Sequence, residues 1–202
     1  AVPKETVSGE RRVALDPTMA ERFVKLGVEM LVEKGAGLSA FFADEVYAKS
    51  SRVASDARAL YAEADVVFKV QAPTLEEVEL LKDGSVLLAV LQPHRNLELV
   101  KRLRDKHITS FAMELIPRIS RAQSMDVLSS QAAVAGYFVA LRAAALASGF
   151  FPMLTTAAGT IRPSKVVIVG AGVAGLQAIA TCRRLGAMVE AYDIRPAARQ
   201  EI

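Results

Sequence analysis

The chain has 202 residues, 52% of them hydrophobic and 23% charged. That is enough for a buried core in one large domain, or in one domain plus part of another, and it argues against disorder. A net charge of +3 without any stripe of five like charges speaks against a nucleic-acid surface, and 6% aromatics with no Trp speaks against a stacking platform for single strands. One cysteine, Cys182, and two histidines, His94 and His107, exclude a disulfide framework and a multi-cysteine zinc site, and no metal site is expected.

Short β-like runs alternate with helical ones, which predicts an α/β architecture with mostly parallel strands. Ala1-Val2 reads as a strand end, and the residues that follow lack the charged start and long apolar run of a signal peptide. Asp16 is a good N-cap and Pro17 suits a first turn. A helix is expected there, with Met19, Phe23, Val24 and Leu26 on one side and Gly27 as its stop. Val28–Val32 reads as a strand, Gly35 to Gly37 as a loop, and 44–64 as helical in parts with a break near Ser50-Ser51. A strand at Val66–Val70 leads to a helix capped by Thr74 and running to Leu81, with Glu77 at the capping-box position. Val86–Leu91, Leu97–Lys106 and Ile108–Met113 read as strand, helix and strand.

Residues 114–126 break this rhythm with a polar, Pro-containing segment just after a strand's C-terminal end, where ligands bind in open α/β sheets. A long Ala-rich helix is expected from Val127 to about Ser148. Its surroundings, 132–154, carry only Arg142, but Gly149, Pro152 and a modest hydropathy favour a buried helix, then a turn and a short strand, over a membrane span.

Lys165–Val169 is a strongly β run, and Gly170-Ala-Gly172-Val173-Ala174-Gly175 follows it directly. A helical pattern over Leu176–Leu185 and a strand over Ala187–Tyr192 come next. The strand before and the helix after are the context a dinucleotide fingerprint requires. Gly170 would permit the tight turn, Gly172 the approach of a pyrophosphate, and Gly175 close helix–strand packing. The helix N-terminus offers N–H groups to phosphates. Asp193 lies 18 residues after Gly175, near the spacing of a carboxylate that accepts adenosine ribose hydroxyls. Such a carboxylate favours NAD over NADP, a preference qualified by the neighbouring Arg195, which with Ile194 flanks the acid.

Three stretches together resemble domain I of proton-translocating NAD(P) transhydrogenase, the NAD(H)-binding part of its alpha subunit. They are Pro3-Lys-Glu with Glu10-Arg-Arg12-Val-Ala-Leu15; Ala112-Met-Glu-Leu-Ile-Pro-Arg118 through Gln123, Asp126 and Ser129 to Gln131; and Thr156-Ala-Ala-Gly159 leading into the glycine motif. The resemblance spans the whole chain but about the first half of that domain. Alanine dehydrogenase shares the architecture. The resemblance implies that Arg118 and Asp126 orient a nicotinamide, that Gln123 helps juxtapose it with the NADP(H) ring of a partner domain, and that Ser129 contacts the cofactor. It also implies coupling to proton movement through a separate membrane-spanning domain, a homodimer, and a peripheral location on the cytoplasmic face of the inner membrane, or the matrix side in a eukaryote.

The chemistry agrees. Hydride transfer between two nicotinamide rings needs no general acid or base, only reacting carbons held roughly 3–3.5 Å apart. An amide and an Arg–carboxylate pair are orienting groups, although Arg118 and Asp126 also read as an ion pair pinning a surface loop. An alanine dehydrogenase instead needs an Arg for a substrate carboxylate and a Lys and a His beside the reacting carbonyl. Arg12 and Lys69 stand in matching contexts, but Gln92 occupies the place expected of the His, and His94 lies two residues on, beyond Pro93. More blandly, Lys69 reads as a relic or an interdomain ion-pair partner and Arg12 as a surface or fold-stabilising residue.

The expectation is therefore an α/β protein of two Rossmann-like domains with mostly parallel sheets, the second truncated after its first βαβ unit. Residues 1–126 form the N-terminal domain, 127–148 a connecting helix and 149–202 the start of the NAD-binding domain. NAD(H) is expected in the interdomain cleft, with NADP(H) on a partner domain. The alternatives are an alanine-dehydrogenase-like oxidoreductase and a non-catalytic NAD-binding module.

Overall fold

In the computed structural model, which describes residues 1–200 and 202, Asp16 is extended and its carboxylate accepts the Met19 N–H at 2.8 Å, starting helix α1 (Pro17–Lys25) where expected. There follow β1 (Leu31–Glu33), α2 (Asp44–Tyr47), β2 (Arg52–Ala54), α3 (Ala57–Glu63), β3 (Val66–Gln71), α4 (Leu75–Leu80), β4 (Val86–Val90), α5 (Leu97–Asp105) and β5 (Thr109–Ala112). Thr74 and Glu77 form the expected capping box of α4. Strands β3, β4 and β5 run parallel in that order, and β1 pairs in parallel with β2. Ala1 and Val2 stitch the two sheets. The Val2 N–H donates to Leu31, Glu33 donates to the Val2 carbonyl, and Phe68 donates to the Ala1 carbonyl. Parallel neighbours need crossover connections, and α2, α4 and α5 lie in them. The core gathers Leu60, Tyr61, Val67, Val78, Leu87, Leu99 and Leu103, with a second cluster of Val2, Met30, Val32 and Tyr47.

Two expectations need correction in this unit, Ala1–Met125. The strand expected from Val28 begins only at Leu31, because the Val28 N–H still closes α1 on the Phe23 carbonyl after Gly27 turns at φ +85°. Inside the stretch read as broken helix, Arg52–Ala54 is a strand, and three residues hold no periodicity to announce it.

The second unit, Asp126–Ile202, holds α6 (Val127–Leu146), β6 (Leu154–Thr156), β7 (Gly159–Ile161), β8 (Lys165–Val169), α7 (Val173–Arg184), β9 (Met188–Tyr192) and α8 (Pro196–Arg199). The short strand expected after α6 is an antiparallel hairpin, β6 with β7, turning through Ala157-Ala158. Strands β8 and β9 are parallel, with α7 as their crossover, so the unit contains one βαβ.

Helix α6 packs on α7 through a stripe of Gly136, Ala140 and Ala144. A Cβ at Gly136 would stand 2.2 Å from the Ala174 carbonyl oxygen, so only glycine lets the helices come this close. The expectation of a buried α6 is overturned, since only Gly136 and Ala140 are buried while Val134, Tyr137, Phe138, Val139 and Leu146 are exposed. One row of small residues meets α7, and most of the remaining apolar side chains of α6 are exposed among the described residues. By length and composition alone α6 could cross a membrane, at a mean hydropathy of 1.2, a measure that core helices of soluble proteins also meet. Cys182 is buried beside Phe151 as a small apolar residue, and burial pushes its thiol pKa up.

The first unit also buries charge. Lys69 points inward on β3, and its ammonium lies 2.8 Å from Glu77 and 3.6 Å from Glu5 with 1% of the side chain exposed. Tyr61 donates its hydroxyl to the same Glu77 oxygen at 3.1 Å, and burial, reinforced by the Glu77 charge, pushes the phenol pKa up. Glu5 also accepts the N–H groups of Val70 and Gln71. The role envisaged for Lys69 as an interdomain partner gives way to this set inside one unit. Charges are tolerated there because each has partners. Lys69→Met, which strands Glu5 and Glu77, is expected to lower stability by about 3–5 kcal/mol in urea unfolding. A loss below about 1 kcal/mol would show that the set is not stabilised as a unit.

Candidate functional site

The turn after β8 is built on a backbone contact. Gly170 has φ +103° and donates its N–H to the Tyr192 carbonyl at 2.7 Å. A Cβ on Gly175 would lie 1.8 Å from the Gly170 carbonyl oxygen and 3.8 Å from Ile168, so the first turn of α7 sits directly on the loop. Gly172 differs: the nearest atom to a Cβ there is an Arg195 guanidinium nitrogen at 4.0 Å. Helix α7 starts at Val173, three residues earlier than the sequence pattern indicates, with Gly172 extended as N-cap and no side chain capping it. The first-turn N–H groups, at Gly172, Val173, Ala174 and Gly175, have no intrahelical acceptors. This end of the helix dipole is positive and suits an anion.

Asp193 closes the turn from the other side. One carboxylate oxygen accepts the Ala171 N–H at 2.8 Å and an Arg195 guanidinium N–H at 3.0 Å. The other accepts the Arg195 backbone N–H at 2.8 Å and its Nε–H at 3.0 Å. Asp193 is 6% exposed, whereas the Arg195 side chain is 62% exposed. The Arg195 hydrogen bonds, with that from Ala171, hold the Asp193 carboxyl far below the usual carboxylate range. Four donors fill the four lone-pair sites of a carboxylate. A ribose diol would therefore have to take the place of the two guanidinium bonds. Because acid and guanidinium form a neutral pair, charge repulsion alone does not separate NAD from NADP here. Ile194 is exposed beside them, and Arg199 donates to the Asp193 carbonyl.

The remaining expected residues divide between the units. In the first, Arg118 and Gln123 are both exposed. Arg118 follows Pro117, and Gln123 lies on the 3-10 turn Ser120–Met125, which buried Ala122 anchors. In the second, Asp126 is the N-cap of α6. It accepts the Ser129 N–H at 2.9 Å and the Ser129 hydroxyl at 2.6 Å, so these two are brought together. The Asp-x-x-Ser spacing before an apolar run is the signal that marks this cap in the sequence.

The residues weighed for a keto acid are engaged with the chain's own carboxylates. Arg12 donates its Nε–H to Glu10 at 2.8 Å and its backbone N–H at 2.9 Å, and Gln71 donates to the other Glu10 oxygen at 2.7 Å. Lys69 is held by Glu77 and Glu5. Gln92 and His94 are exposed, with Gln92 in the left-handed region at φ +47°. Glu10 and Glu5 are residues that motif reasoning passed over, although both stand in the N-terminal stretch that carries the resemblance.

A parallel βαβ with a glycine turn, an uncapped helix start and an acid closing the second strand defines an α/β protein of the dinucleotide-binding class. Comparison with known proteins narrows this. Residues 1–135 match the family described as "Alanine dehydrogenase/PNT, N-terminal domain", and residues 139–202 match "Alanine dehydrogenase/PNT, C-terminal domain". The chain belongs to the alanine dehydrogenase/PNT family. It is 47% identical to the first part of the NAD(P) transhydrogenase alpha subunit of Rhodospirillum rubrum, over 100% of this chain and 54% of that protein. It is 34% identical to an alanine dehydrogenase of Methanococcus maripaludis over 96% of this chain and 52% of that protein. The solved transhydrogenase structure from Sinorhizobium meliloti superposes with a TM-score of 0.95 at 45% identity, covering 99% of this chain and 57% of that one. The chain thus spans about half the length of the curated relatives it matches.

Two outcomes follow from the geometry. Gly175→Ala is expected to cost about 1–3 kcal/mol in thermal unfolding by forcing the turn off Gly170, and Gly172→Ala less than about 0.5 kcal/mol because its Cβ meets open space. Equal costs would contradict the loop geometry. The second outcome concerns Glu10, whose carboxyl is drawn down to about 2, chiefly by its hydrogen bonds to Arg12. A depressed carboxyl stabilises the fold above its unfolded pKa, and that contribution is lost as pH falls from 4.5 toward 2. The stability gap between the wild type and Glu10→Gln should shrink across that window. A gap independent of pH would exclude the pairing.

Proposed function

We propose that this chain is the NAD(H)-binding component of a proton-translocating NAD(P) transhydrogenase. The observation that carries the reading is a contrast between two sets of groups. The glycine turn and α7 start present an open anion cradle, whereas both cations that a keto-acid reaction would need are bound to internal carboxylates. The cradle fits a pyrophosphate, with Gly172, Val173, Ala174 and Gly175 supplying backbone N–H groups and Gly170 the tight turn. Asp193, Ile194 and Arg195 take the adenosine end, with Arg195 yielding its two side-chain bonds on Asp193 to ribose hydroxyls while the Ala171 bond keeps the turn in place.

When bound, the nicotinamide ring supplies the carbon that gives or takes hydride. The chain's own task is orientation. Arg118 and Asp126 hold the nicotinamide end, Ser129 contacts the cofactor, and Gln123 faces the NADP(H) ring of a partner domain. Asp126 acts through its grip on Ser129, which fixes the start of α6. No proton moves at the reacting carbons, so an acid–base pair is not required. In the complete assembly this transfer is coupled to proton movement through a membrane-spanning domain. The NAD(H)-binding component is a peripheral homodimer on the cytoplasmic or matrix side.

The test uses this chain extended by the remainder of the family's C-terminal domain and mixed with an NADP(H)-binding partner domain. Stopped-flow absorbance should show NADPH reducing an NAD analogue without added substrate. Asp126→Asn should slow that transfer by about tenfold or more with circular dichroism unchanged. Turnover that requires pyruvate and ammonia would overturn the reading in favour of an amino-acid dehydrogenase. An unchanged rate for Asp126→Asn would remove that residue from the site.

A further inference from the structure

The most distinctive motif of the first unit contains a carboxylate that the roles above leave unused. Glu114 sits in the 3-10 turn Met113–Leu115, directly after β5 and four residues before Arg118. Its two oxygens accept the N–H groups of successive residues at the exit of β4, Gln92 at 2.6 Å and Leu91 at 3.2 Å. That exit is irregular. Leu91 is buried, Gln92 is left-handed at φ +47°, and Pro93 follows. Asn96 holds the other side of the same peptide, donating its side-chain amide to the Leu91 carbonyl at 2.8 Å, while the N–H groups of Arg95 and Asn96 donate to the Gln92 carbonyl. A non-glycine residue persists at positive φ where its surroundings over-determine it, and such places cluster at functional sites.

We propose that Glu114 is a positioning residue for hydride transfer: by clamping the left-handed exit of β4 to the exit of β5, it fixes the origin of the segment that carries Arg118 and Gln123. The proposal rests on the transhydrogenase reading given above. Strands β4 and β5 are neighbours in register, with Ala89 opposite Ala112. The backbone ladder therefore stops just short of this point, and the carboxylate continues it by two bonds. Beyond it, the segment holding Arg118 and Gln123 has buried Ala122 as its anchor. Loss of the clamp frees one end of that segment. Displacements of about 1 Å at orienting groups lower rates by about a hundredfold.

The experiment compares the wild type, Glu114→Ala and Glu114→Gln in the extended protein with its NADP(H)-binding partner domain. It reads the hydride-transfer rate at saturating nucleotides, the Kd for NADH, the amide exchange of Leu91 and Gln92, and the thermal midpoint. Glu114→Ala should slow transfer by about tenfold to a hundredfold, change the NADH Kd by less than about threefold, and speed exchange at both amides. Glu114→Gln keeps one acceptor oxygen in place of two, so its rate should fall between the others. A purely structural role would move the thermal midpoint and leave the rate of the folded fraction alone. A wild-type rate in folded Glu114→Ala overturns the proposal, as does cooperative unfolding of the first unit in both variants. A wild type that transfers no hydride overturns the transhydrogenase reading itself, and this proposal with it.

Discussion

The bond from the Ala171 N–H to the buried Asp193 carboxylate ties the turn after β8 to the end of β9. The rest of the candidate nucleotide site depends on it. Gly170, whose N–H is already on Tyr192, is pinned on one side, and Ala171 is pinned on the next. The chain therefore enters α7 with Gly172 extended and its first-turn N–H groups turned outward. Gly175 then rests on the Gly170 carbonyl, a contact that no side chain could share. The same carboxylate thus holds the turn and, in the proposed function, would also present itself to a ligand. Only the second is open to competition, because the Ala171 bond is buried and the Arg195 side chain is mostly in solvent.

The two units reach order by different means. The first spends charged side chains inside itself: Lys69 with Glu5, Glu77 and Tyr61, and Arg12 with Glu10 and Gln71. Both sets join the N-terminal segment to β3, and the Lys69 set also reaches the start of α4 through Glu77. The second unit relies on small residues that allow backbones to touch, at Gly136 against Ala174 and at Gly175 against Gly170. On this chain backbone N–H groups are left open at a helix start, while of the two candidate cations Lys69 is buried and Arg12, about half exposed, is engaged by Glu10.

Much of this was legible in the amino-acid order, for identifiable reasons. Asp16-Pro17, the Thr74–Glu77 box and the glycine motif each carry a local mechanism, and each lies where it was expected. Strand β2 and the second strand of the β6–β7 hairpin left no signal, because three-residue strands are set by their partners and not by their own pattern. The burial of α6 misled for a related reason. An Ala-rich apolar run shows that a helix can be buried but not how wide a face meets a neighbour. The partners of Asp193 and Lys69 were invisible as well. A spacing argument places a carboxylate at a strand end, but only three-dimensional structure shows which donors it already holds.

In the second unit the turn after β8 rests on single directional contacts. In β8, Val166 and Ile168 are partly buried, whereas Val167 and Val169 on the opposite face are exposed. Among the described residues the apolar contacts of this unit lie in the α6–α7 seam and in the small cluster of Ala140, Phe151 and Cys182. The turn is held by directional bonds, one peptide N–H on Tyr192 and one on Asp193, and by a glycine contact with no slack. The geometry of the turn is thus set locally, by hydrogen bonds across the ends of β8 and β9.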